Sequence, residues 1–207
     1  ELIISKKDRT VSTLKSVVKK VYEALKNTEI FINSRHPEIK CILPENIKFV
    51  TTQELENLYP GLDSHERENA FVKDHHIACI MQIGGALRSG KPHDGRAPDY
   101  DDWELNCDIF FWHNVLERAL EISSMGIRVD KDSLLRQLKI AGCMERSKLP
   151  FHQMLLNDEL PLTVGGGIGQ SRLCMLLLGC AHIGEVQSSV WDQETLEACG
   201  KAGIRLL

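Results

Sequence analysis

The 207-residue chain is 43% hydrophobic and 26% charged, an ordinary composition for a globular protein with a core large enough for one domain, residues 1–207. Its net charge of −4 argues against a nucleic-acid-binding surface, and no apolar stretch approaches the roughly 20 residues of a membrane span. The seven cysteines are widely spaced with no C-x-x-C pair, which indicates free thiols in a reducing cytoplasm rather than zinc ligands or disulfides.

The first part of the chain predicts helices interleaved with short strands. Apolar residues recur at helical spacing over Val11–Leu25, with lysines opposite, which predicts a surface helix. A short strand at 47–50 leads into Thr51–Glu54, which has the residues of a capping box. A second helix is predicted from near Asp63. The dense apolar segment 76–83 predicts a central strand of a sheet.

The middle of the chain is harder to assign. Residues 84–102 are rich in glycine, proline and charge, which predicts a long functional loop, and Asp108–Trp112 reads as a strand. Apolar residues over 115–122 fit a helix by their period. Two further helices are predicted at 130–140 and 151–156.

A run of glycines, Gly165–Gly169, is followed by Arg172 and an apolar helix over Leu173–Leu178. Glycine lets the backbone approach a flat or charged ligand, and a helix N-terminus attracts anions. Arg172 adds a planar guanidinium, which can bind phosphate or stack on a purine. No Gly-Lys-Ser/Thr closes the run, so it is not a Walker A loop. The run predicts a nucleotide pocket, although a glycine turn that merely packs a helix on a sheet would look similar.

Two upstream runs accompany the glycines: Glu121–Arg128 (EISSMGIR) and Arg96–Trp103 (RAPDYDDW). With Gly165–Arg172 and His182–Gln187, they make the chain resemble the ammonia-dependent aspartate ligases (type A asparagine synthetases). These are relatives of the class II aminoacyl-tRNA synthetase core. The resemblance implies an α+β fold, an antiparallel sheet flanked by helices. It also places 115–128 in the second arm of an antiparallel hairpin. The periodicity of 115–122 favours a helix instead, and we take the hairpin as our prediction.

The same resemblance implies a reaction. The family makes L-asparagine from L-aspartate and ammonia with ATP, through a β-aspartyl adenylate, and releases AMP and pyrophosphate. It implies a homodimer with small-molecule substrates and with neither nucleic acid nor membrane as partner. No N-terminal nucleophilic cysteine is present, so glutamine is not expected as the nitrogen donor.

By resemblance, Arg172 and the preceding run contact the nucleotide; the run comprises Gly165, Gly166, Gly167, Ile168 and Gly169. Arg128 meets either phosphate or a substrate carboxylate, and the sequence leaves that choice open. Both arginines would stabilise the charge that builds during displacement at phosphorus, which makes them catalytic candidates.

The metal expected is Mg²⁺, which prefers hard oxygen ligands. The resemblance implies Glu121 and Ser124 as its ligands, with Asp108 as the second acid. Three residues apart on a strand, Glu121 and Ser124 would face opposite sides unless a bulge intervenes. Alternatively, Glu121 is an ordinary exposed residue and Ser123 and Ser124 bond within a turn.

The remaining predicted substrate contacts lie in the two upstream runs. Asp101, a third catalytic candidate, would face the ammonium group of the substrate or guide incoming NH4⁺, accepting its proton. Ser123 and Ser124 complete the set. The acidic loop that contains Asp99 and Asp102 could instead be a solvated surface.

Two departures from the family pattern bear on activity. The family carries a further N-terminal segment with its first two motifs, and the connection 103–108 is shorter here. We therefore expect this chain alone to bind ATP weakly and to turn over little. Two alternatives stay open: a fragment of an aspartyl- or asparaginyl-tRNA synthetase, which has an acid where Ser171 stands, and a non-catalytic binding module.

Overall fold

A computed structural model describes all residues, 1–207. Its centre is a six-stranded sheet in the order β1-β6-β5-β4-β3-β2. All neighbours pair antiparallel except β2 and β3, which are parallel. The strands are β1 Leu2–Ile3, β2 Lys48–Thr51, β3 Ile77–Met81, β4 Asp101–His113, β5 Arg118–Arg128 and β6 Thr163–Ile168. The predicted α+β architecture is confirmed, with one parallel pair that the sequence did not indicate.

Seven α-helices flank the sheet: α1 Val11–Arg35, α2 Thr52–Leu58, α3 Ser64–His75, α4 Lys131–Ile140, α5 Pro150–Leu156, α6 Gln170–Leu178 and α7 Gln193–Lys201. No helix is both long and apolar enough to cross a membrane. The predicted capping box at Thr51–Glu54 is confirmed, and Asp63 caps α3 in the same way. These side chains satisfy N–H groups that the first turn of a helix leaves unpaired.

Two hydrophobic layers cover the two faces of the sheet. On one face, α1 and α6 pack against Cys79, Ile109 and their neighbours. On the other face, α2 and α3 pack against Ala78, Ile80 and Phe110. Successive residues of a strand point to opposite faces, so β3 and β4, buried on both sides, carry continuous apolar runs.

Strands β4 and β5 form a hairpin. This confirms the hairpin arm that the family resemblance predicted, whereas the helix that the periodicity of 115–122 favoured is absent. Residues 115–122 turn at Asn114–Glu117 and then enter β5. The predicted loop and strand boundaries were wrong on the other arm, because β4 begins at Asp101 rather than at Asp108. Asp101 and Asp102 are buried at its start, where arginine side chains neutralise them.

Candidate functional site

The predicted nucleotide pocket corresponds to a cavity of about 590 Å³ between the end of β6, the middle of β5 and the first turn of α6. Its wall includes the side chains of Glu121, Ser124, Arg172 and Gln187. Backbone of β6 and of the β6–α6 junction forms the floor. The cavity is therefore open to a ligand at the end of the sheet where the three predicted runs meet.

The glycine run is a β-strand rather than a loop, since Gly165, Gly166 and Gly167 pair with β5. A Cβ on Gly166 would lie 2.7 Å from the carbonyl oxygen of Ser124, so that position requires glycine for the close approach of two strands. A Cβ on Gly167 would meet no protein atom within 4 Å. Both line the cavity, but only the space at Gly167 is open to a ligand.

Two residues of the run do not reach the cavity. Gly165 lies beneath the carboxylate of Glu1, and the side chain of Ile168 is partly exposed off the cavity wall. The predicted nucleotide contacts at these two positions are therefore not supported by their placement.

Helix α6 begins behind Gly169, whose N–H donates to the carbonyl of Ile122 at 2.7 Å. No side chain caps this N-terminus, whose first residues line the cavity, so unpaired N–H groups and a partial positive charge lie beside it. Arg172 is half exposed; it donates to the Glu121 carbonyl at 3.1 Å and lies 3.7 Å from its carboxylate. The cavity thus has an anion-binding character at one end.

A β-bulge resolves the spacing problem of the predicted metal ligands. Ile109 pairs with Ser123, but Phe110 pairs with Glu121, so Ile122 is an extra residue on β5. The bulge brings Glu121 and Ser124 to the same cavity wall. Two hard oxygen donors beside a phosphate-sized space fit Mg²⁺, which usually takes one or two carboxylates together with phosphate oxygens.

Asp108, the third predicted ligand, is not on the cavity wall. It pairs with Ser124 in the register, but its side chain is buried and Arg96 engages one carboxylate oxygen. Burial raises the pKa of the Asp108 carboxyl to about 6, while Arg96 opposes that rise. The other oxygen is buried without a hydrogen-bond partner, and no cluster of three His, Cys, Asp or Glu side chains is arranged around a metal position. The donors that reach the cavity are Glu121 and Ser124.

Ser123 is also absent from the cavity wall. Its side chain is buried on the opposite face of β5 from Ser124, and its hydroxyl has no hydrogen-bond partner. The predicted substrate contact by Ser123 is therefore not supported by its placement.

Arg128 lies at an adjoining cavity of about 540 Å³, and Asp101 is paired with it. Arg128 lines it, pairs with the carboxylates of Asp101 and Glu1, and stacks its guanidinium 4.1 Å from the ring centroid of Tyr100. Tyr100 lines both cavities, so the stacked pair separates them. Gly126 completes the arrangement, because a Cβ there would lie 2.6 Å from the Asp101 carboxyl carbon.

The Asp101 carboxylate lies behind Arg128 rather than on either cavity wall. Burial raises the pKa of Asp101, and the hydrogen bond from Arg128 opposes the rise. Burial alone would lower the pKa of Arg128, but the bonds to Glu1 and Asp101 raise it above its ordinary value. The two predicted arginines thus occupy different cavities, and Arg128 is the charged group of the second one.

Sequence reasoning missed three residues of the site. Arg96 neutralises Asp108, Tyr100 forms the wall between the cavities, and Gln187 contributes a side-chain amide to the first cavity. Arg96 and Tyr100 belong to the RAPDYDDW run and Gln187 to the HIGEVQ run. Membership of these runs was the only signal in the sequence that could have identified them.

The sheet, its glycine strand and the following helix define a class II aminoacyl-tRNA synthetase-like core. Aspartyl-tRNA synthetase from Entamoeba histolytica superposes with a TM-score of 0.63 at 15% identity, over 90% of this chain and 41% of that protein. Asparaginyl-tRNA synthetase from the same organism, in complex with asparaginyl-adenylate, gives 0.60 at 15% identity, over 82% and 42%. At such identities the likeness establishes the fold.

Within that class, the chain belongs to the aspartate–ammonia ligase family, whose model matches residues 1–203. Aspartate–ammonia ligases from Clostridium tetani and Levilactobacillus brevis are each 56% identical to it over all 207 residues. The chain spans 61% and 62% of the length of these two relatives. The family predicted from the three sequence runs is confirmed.

Proposed function

We propose that the chain carries the nucleotide site and part of the aspartate site of an enzyme that makes L-asparagine from L-aspartate, ammonia and ATP. The observation that carries the proposal is the cavity at the start of α6, with Arg172 and Glu121 on its wall, in a chain of the aspartate–ammonia ligase family. Asparagine formation needs an activated carboxylate, because hydroxide is a poor leaving group. ATP supplies the activation by adenylation.

In the first step the β-carboxylate of aspartate attacks the α-phosphorus of ATP, and pyrophosphate leaves. The α6 N-terminus and Arg172 offset negative charge on the phosphates without having to reorganise. The backbone at Gly167 gives the nucleotide a close surface to lie against. Glu121 and Ser124 would hold Mg²⁺, which supplies further charge neutralisation when bound.

Aspartate occupies the adjoining cavity in this proposal. Arg128 binds the carboxylate that does not react, since a guanidinium suits bidentate recognition of carboxylates. The substrate would replace the Glu1 carboxylate, to which Nε and Nη2 of Arg128 donate. Its stacking on Tyr100 and its pairing with Asp101 hold the guanidinium at the boundary of the two cavities. The reacting β-carboxylate would then point past Tyr100 towards the α-phosphorus.

In the second step ammonia displaces AMP from the β-aspartyl adenylate. At neutral pH ammonia arrives mainly as NH4⁺ and must lose a proton before it attacks. Asp101 pairs with Arg128 behind the second cavity. Ammonium that reached it past the guanidinium would be attracted by its carboxylate and give up the proton to it. The buried position of Asp101 raises its pKa, which improves it as a base.

We further propose that the enzyme works as a homodimer in a reducing cytoplasm. The seven cysteines are all free, which supports the second part of this proposal. Exposed apolar side chains at Leu149, Phe151 and Met154, beside the second cavity, leave a surface for further chain or a second subunit.

The experiment is a chimera in which this chain replaces the part of the Clostridium tetani relative that it matches. The chimera is expected to incorporate ¹⁵N from ammonium into the asparagine amide and to exchange pyrophosphate into ATP only when aspartate is present. A folded chimera that neither makes asparagine nor exchanges pyrophosphate would contradict the proposal and favour a non-catalytic module. Aminoacylation of tRNA would favour a synthetase instead.

A further inference from the structure

Arg9 makes an unusually complete set of contacts for a residue outside the predicted site. It follows β1 and precedes α1, and its side chain is only 6% exposed. Its Nη2 lies 2.8 Å from a carboxylate oxygen of Asp102, and its Nε lies 3.0 Å from Asp130. Its Nη1 donates to the backbone carbonyl of Arg128. One guanidinium therefore joins three segments.

These three segments are the start of β4, the end of β5 and the start of α4. Asp102 is the neighbour of Asp101, and the carbonyl that Arg9 binds belongs to Arg128 itself. Arg9 thus binds the backbone carbonyl of Arg128 and the side chain of Asp102, the neighbour of Asp101, and contacts neither side chain of the Asp101–Arg128 pair.

The sheet alone does not hold this end of the hairpin. Apart from the bulge at Ile122, the β4–β5 ladder also shifts register between Asn106 and Asp101. Beyond the shift, the N–H of Val129 donates to the carbonyl of Tyr100 at 3.0 Å. A register shift weakens the ladder locally, so other contacts must fix the last pair.

The charges of this cluster also require Arg9. Asp102 is buried and its two oxygens bond Arg9 and Arg136. A buried carboxylate that loses a partner is costly. Lysine could keep the positive charge of Arg9 but not the planar fork that reaches Asp102, Asp130 and the Arg128 carbonyl together.

We propose that Arg9 is a positioning residue for the Asp101–Arg128 pair, and that it sets the orientation of the Arg128 guanidinium at the second cavity. The structural part of this proposal stands on the contacts above. The consequence for aspartate binding rests on the proposed function.

The test is Arg9→Lys in the full 207-residue chain, followed by the ¹⁵Nε–¹Hε NMR signal of Arg128. That signal is assigned by its loss in Arg128→Lys. The Nε–H of Arg128 donates to a carboxylate oxygen of Glu1 at 3.0 Å. If Arg9→Lys changes the orientation of the guanidinium, this hydrogen bond to a charged group is lost and exchange of the proton with water should accelerate by about tenfold or more. Arg67→Lys is the matched control, because Arg67 is also largely buried but contacts Glu56 and Tyr59.

Arg67→Lys should destabilise the fold without changing the Arg128 signal. If Arg9→Lys does not fold, Asp102→Asn provides the second variant. It weakens the ion pair between Asp102 and Arg9, and asparagine has nearly the same size as aspartate. An unchanged Arg128 exchange rate in folded Arg9→Lys, or in folded Asp102→Asn where the first variant fails, overturns the proposal.

In the chimera, Arg9→Lys should raise the KM for aspartate by about tenfold and leave the KM for ATP unchanged. Equal increases in both would indicate a merely structural role and contradict the proposal. Were the unsubstituted chimera inactive, the proposed function would fail, and the NMR experiment would still decide the role of Arg9.

Discussion

Two neighbouring glycines, Gly166 and Gly167, allow the nucleotide site to be separated from the stability of the fold. Both lie on β6 and both line the first cavity. An added Cβ at Gly166 meets the Ser124 carbonyl oxygen at 2.7 Å, whereas an added Cβ at Gly167 meets nothing within 4 Å. The same change, glycine to alanine, should therefore have opposite effects at the two positions.

For Gly166→Ala we expect a loss of about 1–3 kcal/mol, the usual cost of forcing a methyl group into packed structure. In a chain of this size that is a fall in Tm of about 2–12 °C. For Gly167→Ala we expect no loss and a gain of up to about 1 kcal/mol, since alanine reduces the freedom of the unfolded chain. Gly61→Ala is the control, because Gly61 is also open and lies away from the cavity.

ATP binding should be weakened more by Gly167→Ala than by Gly166→Ala. A methyl group at Gly167 projects into the space where the nucleotide is proposed to lie, and the same 1–3 kcal/mol of overpacking weakens ATP binding by about 5–150-fold. Isothermal titration or ligand-observed NMR on the folded variants measures this. Unchanged ATP affinity in a folded Gly167→Ala protein would mean that the nucleotide does not contact β6, contrary to the proposed site.

Three further substitutions test the charged residues. In the chimera, Arg172→Ala should abolish aspartate-dependent pyrophosphate exchange, and near-normal exchange would remove Arg172 from the nucleotide site. Asp101→Ala should raise the KM for ammonium or slow the displacement of AMP by ammonia while adenylation continues; an unchanged profile would exclude its role with ammonia. Asp108 has a folded-state pKa of about 6, raised above its ordinary 3.8, so its contribution to stability is present below pH 4 and lost as the pH rises through 6. Between pH 4 and pH 7.5, the free energy of unfolding should therefore fall by on the order of 2–3 kcal/mol more in the unsubstituted chain than in Asp108→Asn. Denaturant unfolding in EDTA at the two pH values measures this difference. An identical pH dependence in both proteins would contradict the raised pKa.

Strand β5 explains why local periodicity failed where the resemblance succeeded. Its Ala119 packs on one face of the sheet, and its Leu120 and Ile122 contribute to the core on the other face. Apolar residues that face both sides of the sheet, together with a bulge at Ile122, produce the same spacing as the apolar face of an amphipathic helix. Only the order of the three family runs carried the correct assignment.

The grouping of the residues proposed to bind the nucleotide could be predicted because they are close in sequence. Gly167, Gly169 and Arg172 lie within one strand–helix junction. The helix predicted over Leu173–Leu178 is part of α6, which begins three residues earlier, at Gln170. The position of Asp108 could not be predicted in this way. Its partner Arg96 reaches it from a loop across the sheet end, and a sequence pattern does not encode that contact.

The separation of the two arginines was also beyond sequence reasoning. Arg128 and Arg172 both follow motifs of the family, yet the Tyr100 ring stands between their cavities. An aromatic residue in an acidic loop acquires this role only when a guanidinium is placed over it. Such contacts depend on tertiary packing, not on local propensity.

The central claim is that a nucleotide binds between the glycine strand and the start of α6. The most direct measurement is an ATP titration of the ¹⁵N-labelled chain, with its amide signals assigned. We expect weak, saturable binding with the largest shifts at Gly167, Gly169 and Arg172, and the loss of these shifts in Gly167→Ala. Shifts confined to other parts of the chain, or none at millimolar ATP, would contradict it.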